Sequence, residues 1–240
     1  MNYQTYSFKS LTSTQDKAKE FSKKGLSNII IISEVQTKAR GRFKRKWYSP
    51  KGGLWMSMLL KPKNVKDLQY LTFAAAVSVV ESVKKITGIK TNIKWPNDIH
   101  YKGKKLCGIL TEGIFGKESY VVVGFGLNVN QISFPSDIGN IATSLKIIKN
   151  KNIDMDKLTE SIINNFFNLY NDYYNKNKLK SIIRMWTRYC DTLNKNVAVI
   201  TKTNKINGKA VGIDNECSLL LKLENSKIIK ITEGDLKVRY

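Results

Sequence analysis

The first strand candidate along the chain is QTYSF (4–8), followed by a helix that Ser13 or Thr14 can cap and that runs to about Lys24, where Gly25 supplies the stop. Residues 28–33 (NIIIIS) form a short continuous run of β-branched residues, as a buried strand should. The segment after it, 36–47, lacks apolar periodicity and reads as a loop. Residues 53–61 (GLWMSMLLK) predict the next strand. Residues 67–87 (DLQYLTFAAAVSVVESVKKIT) are long, alanine-rich and closed by Gly88, which predicts a helix. A short strand, NIKW (92–95), comes next. KLCGILTEGIF (105–115) and SYVVVGFGLNV (119–129) then read as a hairpin around Gly116 and Lys117. Phe, Tyr and Leu at helical spacing across 156–189 predict two helices that contribute to the core. From Val197 the pattern changes to five short strands within about 45 residues (VAVIT, KAVGID, SLLLKL, KIIKIT, LKVRY), the signature of a small barrel. The boundary is drawn near 192, giving units 1–191 and 192–240.

Composition narrows the class. A chain of 240 residues, 42% hydrophobic and 25% charged, is globular and can bury a sizeable core. No window approaches 18 consecutive apolar residues, and the N-terminus lacks the apolar core of a signal peptide. Cys107, Cys190 and Cys217 are scattered without metal-ligand spacing, which argues against cysteine-based metal chemistry and suits a reducing cytoplasm. The net charge of +22 brings a nucleic-acid-binding module into consideration. However, lysine is spread along the whole chain together with 22 asparagines, which is a compositional bias and not a concentrated patch.

Against 35 lysines there are 6 arginines, yet Arg40, Arg42 and Arg45 fall within six positions around Gly41. Arginine offers a planar fork that grips carboxylate or phosphate bidentately, where lysine is a point charge. Gly41 lets backbone N–H groups approach an anion closely. Such a loop can act as an anion clamp. Downstream, KWPND (94–98) sets a lysine, a rigid Trp-Pro step, an amide and a carboxylate within five residues. Buried polar groups of this kind need partners. Lys105 then begins an otherwise apolar strand, and Gly108 permits close approach of a ligand. GFGLNVN (124–130) reads as a glycine-rich turn. Each piece taken alone is compatible with an ordinary loop or hairpin.

Together, in this order and spacing, the pieces resemble the biotin–protein ligase family, the biotin–[acetyl-CoA-carboxylase] ligases. The resemblance covers essentially the whole chain, from STQ at 13–15 to the C-terminal barrel. The family's GRGRxGRxW loop is matched by ARGRFKRKW (39–47), KWPND is matched without change, and KLxGIL and GxGxN also match. It implies an α+β fold: a mixed sheet with packed helices, like the class II synthetase-related ligase core, plus a small SH3-like barrel. It also implies a two-step reaction. Biotin's carboxylate attacks the α-phosphate of ATP, with Mg²⁺ held largely on the phosphates, and a lysine of a biotin carboxyl carrier domain then attacks the mixed anhydride.

Carried over by position, Ser13, Thr14 and Gln15 would meet the ureido ring, although the family more often has asparagine at the position of Gln15. Gln36 would hydrogen-bond biotin, and Arg40, Gly41 and Arg42 would clamp the carboxylate and α-phosphate. Lys105 would reach the same carboxylate, with Gly108 lining the ring. Arg45, Lys94 and Asn97 would serve the phosphates and metal, and Asn128 would face adenine. Asp98 would orient or deprotonate the incoming lysine, whereas His100 reads as incidental. Ala39 and Lys44 stand where the family's loop has glycine. Some family members begin with a winged-helix DNA-binding domain. Here the catalytic pattern starts within the first dozen residues, so the ligase-only form is expected. A homodimer is one assembly the resemblance allows. A lipoate–protein ligase-like enzyme shares the core and the adenylate chemistry and is the nearest alternative.

Overall fold

Ile29, Ile30 and Ile31 are consecutive and all buried, yet they enter two different cores. Ile30 packs with the helices on one face of a sheet, and Ile29 and Ile31 pack with the first helix on the other. Successive side chains of a strand point to opposite faces, so a strand covered on both sides is apolar without alternation. The computed structural model describes residues 3–62, 68–173, 176–201 and 204–238.

The first part of the chain runs β1 (Gln4–Leu11), α1 (Thr14–Lys23), β2 (Ile29–Gln36), β3 (Leu54–Leu60), α2 (Leu68–Thr87), β4 (Asn92–Lys94), β5 (Asp98–Tyr101), β6 (Lys104–Ile114) and β7 (Tyr120–Leu127). These strands form one seven-stranded sheet in the order β1-β2-β3-β7-β6-β5-β4. β1 runs parallel to β2 and every other neighbour is antiparallel, which makes the sheet mixed, as expected. Two short helices follow, α3 (Ser136–Gly139) and α4 (Leu145–Lys149), and then α5 (Met155–Tyr173) and α6 (Lys176–Tyr189).

Helix α2 is buried at most positions because the sheet covers one side and α5 and α6 cover the others. Its alanines let these layers approach, and Phe73 stacks on Trp186 of α6 with centroids 4.0 Å apart. The expected start of this helix at residue 67 lies outside the described residues. Among the described residues no helix is long and apolar enough to cross a membrane.

Strand β5 and helices α3 and α4 were not read from the sequence. DIHY carries two polar residues in four positions, and it becomes a strand through pairing with β4 on one side and β6 on the other.

The C-terminal strands are β8 (Asn196–Ile200), β9 (Lys205–Ile213), β10 (Leu219–Lys222), β11 (Ile228–Ile231) and β12 (Asp235–Val238). They form a five-stranded antiparallel sheet in the order β11-β10-β9-β8-β12, the small all-β unit expected there. Among the described residues β11 and β12 are its two edges. This unit is fastened to the main sheet through the KWPND segment. The Trp95 indole N–H donates to the Cys217 carbonyl at 3.3 Å, the Trp95 amide to Thr192 Oγ1 at 3.1 Å, and the Asp191 amide to the Ile93 carbonyl at 3.0 Å. Tyr70 of α2 adds a hydroxyl bond to the Asn215 carbonyl.

Candidate active site

The hairpin of β6 and β7 carries three glycines on one face. Gly124 and Gly126 are two residues apart on β7, and register pairs Gly126 with Gly108 and Gly124 with Leu110. The GFG segment is strand, as the hairpin reading of 119–129 expects, and both of its neighbours bond to it along its length. Each glycine clears room for a specific group. A Cβ on Gly124 would lie 2.7 Å from Gln15 Oε1, and one on Gly126 would lie 2.6 Å from Trp47 Nε1. The Trp47 ring also covers Gly108, at 3.4 Å from its missing Cβ. These glycines floor a cavity of about 310 Å³.

The inner end of the cavity is polar and buried. Thr14 donates to Gln36 Oε1 from both its amide, at 2.8 Å, and its hydroxyl, at 3.1 Å. Ser57 Oγ bonds Thr14 Oγ1 at 2.8 Å and Gln15 Oε1 at 2.9 Å, and Gln15 Nε2 donates to Glu112 at 2.9 Å. Ser13 caps α1, its hydroxyl accepting from the Asp16 amide. Ser57 and Glu112 went unread in the sequence. Glu112 did leave a signal, a carboxylate ending the run KLCGILTE, which needs partners in a half-buried strand.

The mouth is built by the arginine segment, which closes on itself as a miniature hairpin. Arg40 bridges Lys46, the Gly41 amide donates to the Arg45 carbonyl at 2.8 Å, and the Trp47 amide donates to the Ala39 carbonyl at 3.0 Å. The Gly41 N–H is thus used within the loop, and Gly41 lines the cavity. The apex, Phe43 and Lys44, adopts φ of +55° and +58°. Both arginines flank the Phe43 ring, Arg42 at 5.0 Å and Arg45 at 5.5 Å from its centroid.

The three arginines do different things. Arg40 grips Asp16 with both ends of its fork, at 2.8 Å each, with Glu112 at 3.7 Å. It ties the loop to the start of α1 while still lining the cavity. Arg42 lines the cavity and donates through Nη1 to Asn97 Oδ1 at 3.3 Å and to the Gly234 carbonyl at 3.2 Å. Arg45 lines the exposed rim.

Lys105 and Asp98 form an ion pair at 2.7 Å, beside the Trp47 ring 5.1 Å from the ammonium. Burial pushes the Asp98 carboxyl up. The Lys105 charge and its hydrogen bond, together with His100, outweigh this and hold the carboxyl well below the usual carboxylate range. His100 Nε2 lies 4.0 Å from Asp98 Oδ2 and is buried without a hydrogen-bond partner, so His100 is not incidental to the electrostatics of Asp98. Asn97 is held from both ends, by Arg42 and by its own bond to the Ile109 carbonyl at 2.6 Å. Asn128 lines the cavity, but its amide bonds the Thr143 carbonyl and Gln131. Lys94 does not line the cavity. It sits on β4, the outermost strand, beyond β5.

A polar, uncharged inner end and a mouth carrying lysine and arginine describe a ligase that activates a carboxylic acid. The chain belongs to the Biotin/lipoate A/B protein ligase family, which it matches over residues 7–130, and it matches the Biotin protein ligase C terminal domain over residues 192–238. It is 37% identical over 235 residues to the bifunctional ligase/repressor BirA of Bacillus subtilis, covering 95% of this chain and 72% of that one. It is 34% identical over 126 residues to the biotin–[acetyl-CoA-carboxylase] ligase of Mycobacterium tuberculosis, covering 50% and 46% of the two chains. Among solved structures, the biotin protein ligase of Aquifex aeolicus in complex with biotin and ATP superposes with a TM-score of 0.88 at 31% identity, over 98% of each chain.

Proposed function

We infer that the protein is an ATP-dependent biotin–protein ligase, which makes biotinyl-5′-AMP and transfers the biotinyl group to a lysine of a biotin carboxyl carrier domain. The observation that carries this reading is the division of the cavity. Thr14, Gln15, Gln36 and Ser57 form a buried network of hydroxyls and amides at one end, and Arg42, Lys105 and Asp98 gather at the other. A cyclic urea needs neutral donors and acceptors, while an acid meeting a nucleotide needs cations. The apolar dithiolane of lipoate offers no donors or acceptors to this polar wall, whereas a cyclic urea does, which favours biotin.

In the first step the acid's carboxylate oxygen attacks the α-phosphorus and pyrophosphate leaves. Lys105 steadies the carboxylate and Arg42 the α-phosphate, so that two anions can meet. Arg45 on the rim serves the departing phosphates. In the second step the carrier lysine forms the amide bond and AMP leaves. The lysine arrives as an ammonium and must shed its proton, and Asp98 is the carboxylate beside its path.

Mg²⁺ suits this site as an ion carried on ATP. Among the described residues the cavity wall holds one carboxylate, Asp98, already neutralised by Lys105, and no group of three metal-binding side chains occurs. The ion would supply further neutralisation of the phosphates. The free thiols of Cys107, Cys190 and Cys217 suit a reducing cytoplasm. The direct test is incubation with MgATP, a carrier domain and either biotin or lipoate, followed by mass measurement of the carrier. Biotinylation alone supports the reading. Lipoylation, or no modification, overturns it.

A further inference from the structure

Arg42 belongs to the clamp loop of the catalytic domain, yet one of its hydrogen-bond acceptors is the backbone carbonyl of Gly234, 192 positions away in the C-terminal unit. We propose that Gly234 is a positioning residue for Arg42, so that the C-terminal unit sets the aim of the clamp and the lifetime of the adenylate beneath it. This rests on the biotin-ligase reading above.

The geometry is specific. Nη1 carries two N–H groups, and its two acceptors, Asn97 Oδ1 at 3.3 Å and Gly234 O at 3.2 Å, can use one each. Both acceptors are themselves fixed. The amide of Asn97 cannot rotate while Nδ2 holds the Ile109 carbonyl at 2.6 Å. Gly234 has φ of +149° and stands against β8, where a Cβ would lie 2.7 Å from Val199 Cγ1. Glycine is therefore required for the backbone to reach that point, and the strand behind it dictates where the carbonyl lies. The support for Asn97 also runs into the C-terminal unit, because Trp95, two residues earlier, is bonded to Thr192 and Cys217. An arginine on a loop apex otherwise samples many rotamers, and ordering it has an entropic cost. With Nη1 held, the plane of the guanidinium is already set when the phosphate arrives.

The experiment measures release of preformed biotinyl-AMP from Gly234→Ala, Arg42→Ala and the double variant, with Leu221→Ala as a control. Leu221 is buried in the same unit, on β10. Gly234→Ala is expected to speed release about tenfold in the otherwise native chain and less than twofold in the Arg42→Ala background. Equal acceleration in both backgrounds overturns the proposal, as does native release from a folded Gly234→Ala. Acceleration of the same size in Leu221→Ala, pointing to general loosening of the unit, overturns it too.

A second measurement covers the case in which Gly234→Ala does not fold. Coupling is reciprocal, so biotinyl-AMP should slow amide hydrogen exchange in β8 and β12 of the native chain but not of Arg42→Ala. Equal protection in both chains, or none in either, overturns the proposal. Failure of the biotin reading itself would look different, since no biotinyl-AMP would form or bind at all.

Discussion

Lys105 Nζ stands 2.7 Å from Asp98 Oδ1, so the residues assigned to the two successive steps of the reaction hold each other in one ion pair. A substrate carboxylate that reaches Lys105 must share or displace Asp98. Displacement would free Asp98 from the charge that keeps it a weak base. On the proposed roles, an acid engaged by Lys105 would therefore raise the basicity of Asp98.

Lys105→Ala tests this link. Biotin affinity should fall by about 2–3 kcal/mol, the cost of one charge-assisted hydrogen bond, in a chain that still folds. The Asp98 carboxyl, left with burial as the dominant influence, should titrate higher than in the native chain. Because its folded pKa is depressed, the native pair contributes stability above about pH 4 and loses it as pH falls through and below that value. The stability gap between native and Lys105→Ala should therefore narrow between about pH 5 and pH 2. Calorimetric titration with biotin and denaturation at several pH values check both. Native affinity in a folded variant would remove Lys105 from the site.

On the proposed roles, Arg42→Gly should still form biotinyl-AMP, since Lys105, Arg45 and Mg²⁺ carried on ATP would continue to neutralise charge, but should fail to retain it. Loss of one contact of about 2–3 kcal/mol speeds escape roughly 30–150-fold if it falls wholly on dissociation. Escaped acyl-adenylate acylates any exposed lysine. Labelling of bystander proteins should rise in Arg42→Gly and in the Arg42→Ala control. Labelling confined to the carrier domain in both would show that Arg42 is no latch.

Lys44 occupies the left-handed region, with φ of +58°, on an exposed apex. A side chain there costs roughly 1–2 kcal/mol relative to glycine. Lys44→Gly should relieve strain in the closed hairpin, although glycine also gains freedom in the unfolded chain. The expected net is stabilisation of up to about 1 kcal/mol, together with slower adenylate release. Denaturant titration and a release assay read the two effects. Faster release from Lys44→Gly would mean that the loop's stiffness matters more than its strain.

Gly124→Ala places a methyl 2.7 Å from Gln15 Oε1 and must displace that amide from Ser57 and Glu112. Weaker biotin binding by about 1–3 kcal/mol is expected, with ATP binding unchanged, because the disturbance lies at the polar inner end. Separate titrations with biotin and with ATP distinguish the two. Equal losses for both ligands would point to distortion of β7 as a whole.

The charge of +22 should confer DNA attachment that collapses as salt rises and shows no base preference. Its use in the reaction would be steering toward acidic carrier domains. Binding to one DNA sequence that survives about 0.15 M salt would overturn this expectation.

Wherever a pattern is local, the chain alone determined the outcome. The β-branched run at 28–33, the capped helix from Thr14, the alanine-rich helix ended by Gly88 and the hairpin around Gly116 depend on neighbours within a few residues, and they formed as read. The cationic mouth was also legible, because three arginines around a glycine in a lysine-rich chain are a departure that local composition exposes.

Only the tertiary structure decided how the three arginines of the cavity mouth divide their partners. Residue spacing says nothing about the carboxylates of Asp16 and Glu112, which reach Arg40 from a helix and a distant strand. The purpose of the GFG glycines likewise emerged only when Gln15 and Trp47 filled the space they leave on the paired strands. DIHY became a strand by lying between two others. Asn97 and Gly234 came to share one guanidinium across 137 positions only because Trp95 docks the two units together. Side-chain partners and edge pairings are long-range events, set by the register of the sheet and the packing of the domains, and no window of sequence contains both members of such a pair.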